Sequence, residues 1–381
     1  MSLTILLTLG RLPKCLDLAR AFKAAGARVL VAEPHRRHLT GGSRSVAKSF
    51  ELPSPVSDKA AYLARLQQII AAEQVDWVIP VSEECLFVSQ LEPQAIAPAR
   101  IWGMPFNVIE QLHDKSAFIE LCQSLQLPAP ATMNLGAEAA DTFASHSAYV
   151  IKPRYSCAGR GVTLAAAGTA LPRPAPQEDW LVQQLLPGNH RSSCSIVHRG
   201  VPLITVCYRP LLLSGTVAIA FERIETPRDM QHSIERIAAH YRYSGFLSFD
   251  FIDDAHGTPT LIECNPRATS GLHFIEPRVL AQAILEPQRF LQEQPTQLFR
   301  PQTRLQQFYP CLTETQTAML RRDDFARKLK VLLRTPDATF AWRDPLPLLL
   351  MPYYAWPIMS AALFGDQSFG EAATHDIEWQ A

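Results

Sequence analysis

Apolar residues in this chain fall into two rhythms: short continuous runs, and stripes at helical spacing. The run TILLTLG (4–10), the stripe Leu16, Leu18, Ala19, Phe22 and the run ARVLVAE (27–33) predict a strand, helix, strand unit that opens a parallel sheet. The pattern recurs with a helix over 58–72 and the strand VDWVIP (75–80). Further on, Phe118, Leu121, Cys122 and Leu125 stand at i, i+3, i+4 and i+7, one stripe of a helix whose start carries Lys115 on a different face. YVIKP (149–153) reads as a strand, followed by a Ser/Gly-rich loop and a β-like run from Val162 to Ala165. DWLVQQLLPG (179–188) is a short apolar strand running into a Pro-Gly break, a hinge between two lobes. SCSIVHRGVPLITVCYRP predicts a hairpin turning at Arg199-Gly200, the run TVAIAFERI a further strand, and Thr226-Pro227 an N-cap and first position of a helix reaching Tyr241. In GFLSFDFIDDAHGTPTLIEC (245–264), Leu247, Phe249 and Phe251 alternate with Ser248, Asp250 and Ile252, the turn-rich DDAHGTP follows and TLIEC resumes extension, which together predict a β-hairpin.

That last hairpin carries the most chemistry. Asp250 near the end of one strand and Glu263 near the end of its neighbour can face one side, and Asn265 adds an amide oxygen. Two hard carboxylates and an amide form an oxygen-rich set suited to Mg²⁺ or Mn²⁺, which complete their shells with water and phosphate oxygens. Arg267, two residues on, points at the same place. An acid pair on a hairpin is otherwise a solvated polar face, so the rest of the chain decides. Lys152 at the end of its strand supplies a point charge for a phosphate, and Ser156, Gly159 and Gly161 let backbone N–H groups approach the oxygens. The loop is not a GxxxxGK[ST] phosphate loop, and Gly10 stands alone where a dinucleotide fingerprint needs three glycines.

The order of these motifs (DK on a helix, VIKP before a glycine loop, a VQQLLPG hinge, a β-rich stretch, then FDF and ECNPR) resembles the ATP-grasp superfamily of ligases, which includes biotin carboxylase, carbamoyl phosphate synthetase and D-alanine:D-alanine ligase. The resemblance spans about residues 1–285. It implies an α/β and α+β chain: an N-terminal parallel α/β domain (1–106), a two-lobed grasp with mixed and antiparallel sheets (small lobe with glycine loop 107–182, large lobe with metal site 183–300), and a C-terminal extension (301–381). It implies ATP on Lys115, Lys152, Ser156, Gly159, Gly161, Gln183, Gln184 and Leu186, Mg²⁺ or Mn²⁺ on Asp250, Glu263 and Asn265, and Arg267 with Lys152 as the catalytic pair. One departure stands out. Where the family often places a carboxylate near the hinge for the adenine amine or ribose, this chain has Gln183 and Gln184, so the base falls to hinge backbone around Gln184 to Leu186. Substrate contacts are expected from Arg154, Arg209, Ser270 and His273, with Arg191 and Arg223 as further cleft arginines, since a guanidinium offers a bidentate fork to a carboxylate. His273 is a proton shuttle, a substrate contact or a structural hydrogen-bonder. Arg11, Lys14, Ser82 and Glu83, at strand ends, are substrate contacts or ordinary loop residues.

The implied reaction is the joining of a small carboxylate, activated as an acyl phosphate, to an amine such as an amino acid. A carboxylase or carbamoyl-transfer enzyme shares the first step, but it would want a biotin carrier or amidotransferase that these residues do not supply. A non-catalytic nucleotide-binding scaffold would have lost a ligand from the set above.

Composition narrows the partners. Lys+Arg and Asp+Glu are both 36, so no global field attracts nucleic acid or an anionic membrane. The eight cysteines show no CxxC pair and no zinc spacing, which fits reduced thiols and a cytoplasmic setting. Cys157 and Cys264 fall inside the expected ATP site as small fillers or alkylation handles. No basic n-region precedes TILLTLG, so it reads as a strand rather than a signal peptide. Pro345 to Phe364 is an uncharged run of a length that could cross a bilayer, roughly 20 residues. Four prolines break it, so it is expected to pack against the lobes or a subunit interface, as in a homodimer, the alternatives being association with a membrane surface or a wall for an apolar substrate. His375, Asp376, Glu378 and Trp379 make a polar tail, read as a solvated terminus or a flap over the site.

Overall fold

A computed structural model describes residues 2–156, 159–172, 179–322, 324–356, 358–360 and 369–379. Three sheets organise them. The first is parallel, in the order β3-β2-β1-β4-β5, with β1 at Thr4–Thr8, β2 at Arg28–Glu33, β3 at Lys48–Glu51, β4 at Trp77–Ile79 and β5 at Arg100–Ile101. The runs of β1 and β2 are continuously apolar because both faces are covered. Helix Pro13–Ala24 packs Cys15, Leu18 and Phe22 on one side, and helix Lys59–Glu73 packs Tyr62, Leu66 and Ile69 on the other. The strand order reverses between β1 and β4, and the segments that follow their carboxyl ends carry Arg11, Lys14 in the first turn of helix Pro13–Ala24, Ser82 and Glu83, the place where open α/β sheets collect ligands.

The second sheet is small and antiparallel, in the order β6-β9-β7-β8 (Thr132–Asn134, Trp180–Gln184, Tyr149–Pro153, Thr163–Ala165). The third is a six-stranded antiparallel sheet, β14-β13-β10-β11-β12-β15, built from Pro259–Asn265, Gly245–Asp253, His190–His198, Val201–Ser214, Val217–Ile224 and Arg304–Gln306. The β10–β11 hairpin turns at Arg199 and Gly200, both with positive φ (49° and 86°), as a two-residue turn of matching twist requires. Period 2 sorts the faces of this sheet. Leu247, Phe249 and Phe251 pack with Val197 and Cys207 against helices Phe106–His113, Lys115–Ser124 and Arg228–Tyr241. The opposite face, with Ser192, Ser248 and Asp250, looks toward the N-terminal sheet. Helix Pro13–Ala24 shares one core with the 3-10 turn Ser270–Phe274 and helix Pro277–Leu285, so the parallel domain and the large sheet are joined through apolar packing.

Two boundary details differ from the sequence expectations. The helix ending at Tyr241 starts at Arg228 with Pro227 as an extended N-cap (ψ 143°), and the Thr226 side chain does not cap it. The C-terminal run forms only four-residue helices, Leu346–Leu349 and Met351–Tyr354, and no helix among the described residues is long and apolar enough to cross a membrane. Nor is the run fully packed. Pro347, Met351 and Ile358 are buried, while Leu346, Leu349, Leu350, Tyr353 and Trp356 are exposed, because single helical turns offer the core only one side. Residues 361–368 lie outside the described set.

Candidate active site

Register makes the site. Asp250 on β13 pairs directly with Glu263 on β14, Ser192 on β10 with Asp250, and Tyr208 on β11 with Ser192, so four side chains of one face form a row across the sheet. A bulge after Asp250 shifts the pairing to Phe251 with Leu261, which lets the two acids share a face while their apolar neighbours stay in the core. Asp250 accepts from Ser192 Oγ (2.6 Å) and from Asn265 Nδ2 (2.8 Å). Asn265 thus meets Asp250 through its nitrogen, and rotation of the amide presents its oxygen to the same space. Burial first, and then the facing Glu263, push the Asp250 carboxyl up to about 6. Two acids held together in this way, with an amide beside them, are a donor set that a hard divalent cation fits. Among the described residues no group of three or more His, Cys, Asp and Glu gathers elsewhere as a rival metal site.

Three cations face the acids. Lys115 opens helix Lys115–Ser124, buried, with Asp114 as N-cap accepting from the Ser116 and Ala117 amides. Its Nζ donates to the Ser156 carbonyl (2.9 Å) and Oγ (3.1 Å) and stands 3.9 Å from Glu263. Lys152 ends β7, buried, donating to Gln183 Oε1 (2.9 Å) and the Ile262 carbonyl (3.3 Å). Burial lowers its pKa to about 8 against the pull of Glu263. Arg267 reaches across to the parallel domain, where its Nε donates to Glu83 (2.8 Å). His113 Nε2 stands 3.0 Å from the other oxygen of Glu83. Burial works against the Glu83 charge, but Arg267, His113 and Lys115 overcome it and hold that carboxyl far below the usual range. Lys14 completes this wall by donating to Ser82 Oγ (3.1 Å) and the Ala268 carbonyl (2.6 Å), and burial followed by Arg267 lowers it to about 7. His113 and Ser192 gave no sequence signal. Each becomes visible only once a tertiary partner fixes its direction.

The described glycines of the loop after β7 are held in tight places. Gly159 and Gly161 have φ of 69° and 70°. A Cβ at Gly159 would meet Thr216, in the β11–β12 turn, at 2.3 Å, and one at Gly161 would meet Pro153 at 2.9 Å. Cys157 lies outside the described residues. Arg160, between the glycines, is ion-paired to Glu378 of the tail. That tail is not a solvated terminus. Asp376 binds Arg11, which also holds Glu33, and Trp379 is buried edge-on to Phe87 (5.1 Å) and Phe106 (5.2 Å). Only His375 of the four tail residues is exposed.

Several expected contacts lie elsewhere. Arg154 grips Asp114 with Nε and Nη2, tying the glycine-loop strand to the helix that presents Lys115. Arg209 is one position on from Tyr208, hence on the opposite sheet face, and its exposed guanidinium binds Glu222. Arg191 pairs with Asp253, and Arg223 stacks on Phe299 (4.6 Å). His273 is buried, its Nδ1 on Asp17, which also takes Arg300, and its ring stacked on Phe221, so it braces the 3-10 turn against helix Pro13–Ala24. Ser270 opens that turn, half-buried. Gln183 is buried between Lys152 and Thr132 Oγ1 and orients the lysine. Gln184 is exposed and Leu186 half-buried, and the amides of Gln184 and Leu185 are already bonded to the Ala131 and Ala148 carbonyls. Cys264 turns into the core behind the hairpin, away from the acids, and burial pushes its thiol up.

Comparison with known proteins identifies part of the chain. Residues 112–271, which hold Lys115, Lys152, Gly159, Gly161, Asp250, Glu263 and Asn265, match the ATP-grasp domain family. The chain carries an ATP-grasp domain. Similar solved structures include the biotin carboxylase domain of 2-oxoglutarate carboxylase from Hydrogenobacter thermophilus, determined with MgADP, ADP and bicarbonate (TM-score 0.59, 14% identity, covering 74% of this chain and 70% of that one). L-amino acid ligase from Bacillus licheniformis (TM-score 0.57, 14%, 75% and 74%) and N5-carboxyaminoimidazole synthetase from Staphylococcus aureus with ADP (0.55, 14%, 71% and 72%) are also similar. At such identities the likeness is one of fold. No curated protein matches the sequence.

Proposed function

We propose that this ATP-grasp protein is an ATP-dependent carboxylate-amine ligase that activates a small carboxylate as an acyl phosphate. The observation that carries the reading is the convergence of Asp250, Glu263 and Asn265 with Lys115, Lys152 and Arg267. Asp250 and Glu263, with the Asn265 amide, hold Mg²⁺. When bound there, the ion would supply charge neutralisation for the phosphates of ATP. Lys115 and Lys152 bind phosphate oxygens, and Arg267 steadies the carboxylate as it takes the γ-phosphoryl group and ADP departs. The Ser156 to Gly161 loop excludes water, which would otherwise hydrolyse the acyl phosphate. The amine then attacks the acyl carbon and phosphate leaves.

The wall of Arg267, Lys14, Ser82, Glu83 and His113 at the switch point of the parallel sheet supports a substrate pocket on the N-terminal side. Its buried, paired charges suit a small polar acid and amine. The test is ADP release by purified protein against pooled carboxylic acids and amines, with mass spectrometry of the products. A product lighter by water than the sum of one acid and one amine, with one ADP per product, is the expected result. ADP release with bicarbonate and no amine would favour an acyl-phosphate carboxylase, the reading to which the likeness to biotin carboxylases lends weight. Nucleotide binding without any turnover across the pools would mark a non-catalytic scaffold.

A further inference from the structure

Among the described residues, most of the exposed large apolar side chains fall in residues 319–356. The densest group crowns the two short helical turns: Trp342 is 88% exposed, Leu349 63%, Trp356 54% and Tyr353 50%, with Leu346 and Leu350 between them. The ridge stands on a fixed base. Met351 is buried with Leu16 and Leu39, Leu348 and Ala355 pack on the same cluster, and Phe340 meets Trp342 edge to face at 4.9 Å.

The exposed charged residues of the two segments that form the ridge and its margin, 36–44 and 340–356, are all basic. The 3-10 segment Leu39–Gly42 lies beside it: Arg37 sits 4.5 Å over the Tyr353 ring, and the Arg44 amide donates to Asp344. Arg36, Arg37, Arg44 and Arg343 are exposed at its margin. Over 36–44 and 340–356 the one acid is Asp344, which is buried and taken up by Arg20 and Ser43. We propose that this ridge docks the protein on an anionic lipid bilayer, with the tryptophans and leucines at the headgroup and acyl boundary and the arginines on the lipid phosphates.

Three arguments favour a bilayer over a protein face. Trp and Tyr have an apolar body and a polar edge suited to the membrane interface. Each basic residue near an anionic surface strengthens partitioning roughly fivefold, and four of them supplement a shallow apolar insertion that is weak alone. A second copy seated on the ridge by two-fold symmetry would bring the arginine rims of both copies together, at a cost in repulsion. Docking needs no spanning helix, and none among the described residues could span. This inference does not depend on the ligase reading.

Sedimentation of the full-length protein with vesicles tests it. Vesicles of phosphatidylcholine with one third phosphatidylglycerol should pull the protein down at low salt, and phosphatidylcholine alone, or high salt, should do so at least tenfold less well. The double variant Trp342→Ala, Trp356→Ala and the double variant Arg36→Glu, Arg343→Glu should each bind at least tenfold more weakly, while remaining folded by circular dichroism and unchanged in nucleotide binding. Wild-type protein that stays in the supernatant, equal binding to neutral and acidic vesicles, or variants that bind like wild type would overturn the proposal. So would a wild-type dimer in solution that the tryptophan variant dissolves, because that result assigns the ridge to a second copy.

Discussion

The β13–β14 hairpin and the C-terminal extension break the usual partition of polar and apolar residues in opposite ways. The hairpin buries Asn265 and half-buries Asp250 beside it, at a cost that only a specific partner offsets. The extension leaves Trp342 and Leu349 in water, where most other large apolar side chains of the molecule are covered. Polar groups pressed inward mark chemistry, and apolar groups turned outward mark a contact surface. The two regions should therefore respond differently to substitution.

The largest effect belongs to the hairpin. Glu263→Gln removes a charge without changing shape, so turnover should fall about 10²–10³-fold with thermal unfolding unchanged within a degree or two. Turnover at the wild-type rate under saturating Mg²⁺ would refute the metal assignment. The tail shows the opposite signature. Trp379→Ala vacates the space between Phe87 and Phe106 and should cost about 3 kcal/mol of stability in denaturant unfolding, whereas Trp342→Ala on the exposed ridge should cost almost nothing.

Within the site, Lys152→Ala should weaken ATP binding about tenfold to a hundredfold, the worth of a buried charge-assisted contact. Arg154→Ala should do far less to ATP and instead lose about 1 kcal/mol of stability, because its guanidinium serves the Asp114 cap and not the ligand. Equal losses of ATP affinity in both variants would contradict that division. The smallest effect is a pH dependence. Burial and Glu263 raise the Asp250 carboxyl to about 6, so the folded chain without a cation keeps a proton that the unfolded chain gives up near 4. That contribution to stability is present below about pH 4 and lost as pH rises through about 6. A cation wants the pair ionised, so the rise in melting temperature on adding Mg²⁺ should be larger near pH 7 than near pH 5.

Much of the site was legible because it lies on elements whose period is short and local. Alternation alone puts Asp250 and Ser248 on the face opposite Phe249, and a strand ending at Lys152 before glycines needs no tertiary information. Arginines were harder. Arg154, Arg209 and His273 each have the right chemistry for a substrate, but long side chains and buried imidazoles take their direction from partners distant in sequence: Asp114, Glu222 and Asp17. The tail escaped for the same reason, since Asp376 and Trp379 find Arg11 and Phe87 across most of the chain. The extension misled in another way. An uncharged run broken by prolines reads as packed, and only the short helical turns show that half of it faces outward.

The most direct test of the central claim, that Asp250 and Glu263 hold the cation of a nucleotide site, is calorimetric titration of ADP into wild-type protein and Glu263→Gln, each with and without Mg²⁺. Wild type should bind ADP at least tenfold more tightly with Mg²⁺ than without it. Glu263→Gln should bind ADP equally in both conditions, at about the metal-free wild-type affinity. A variant that keeps the full Mg²⁺ enhancement would contradict the account.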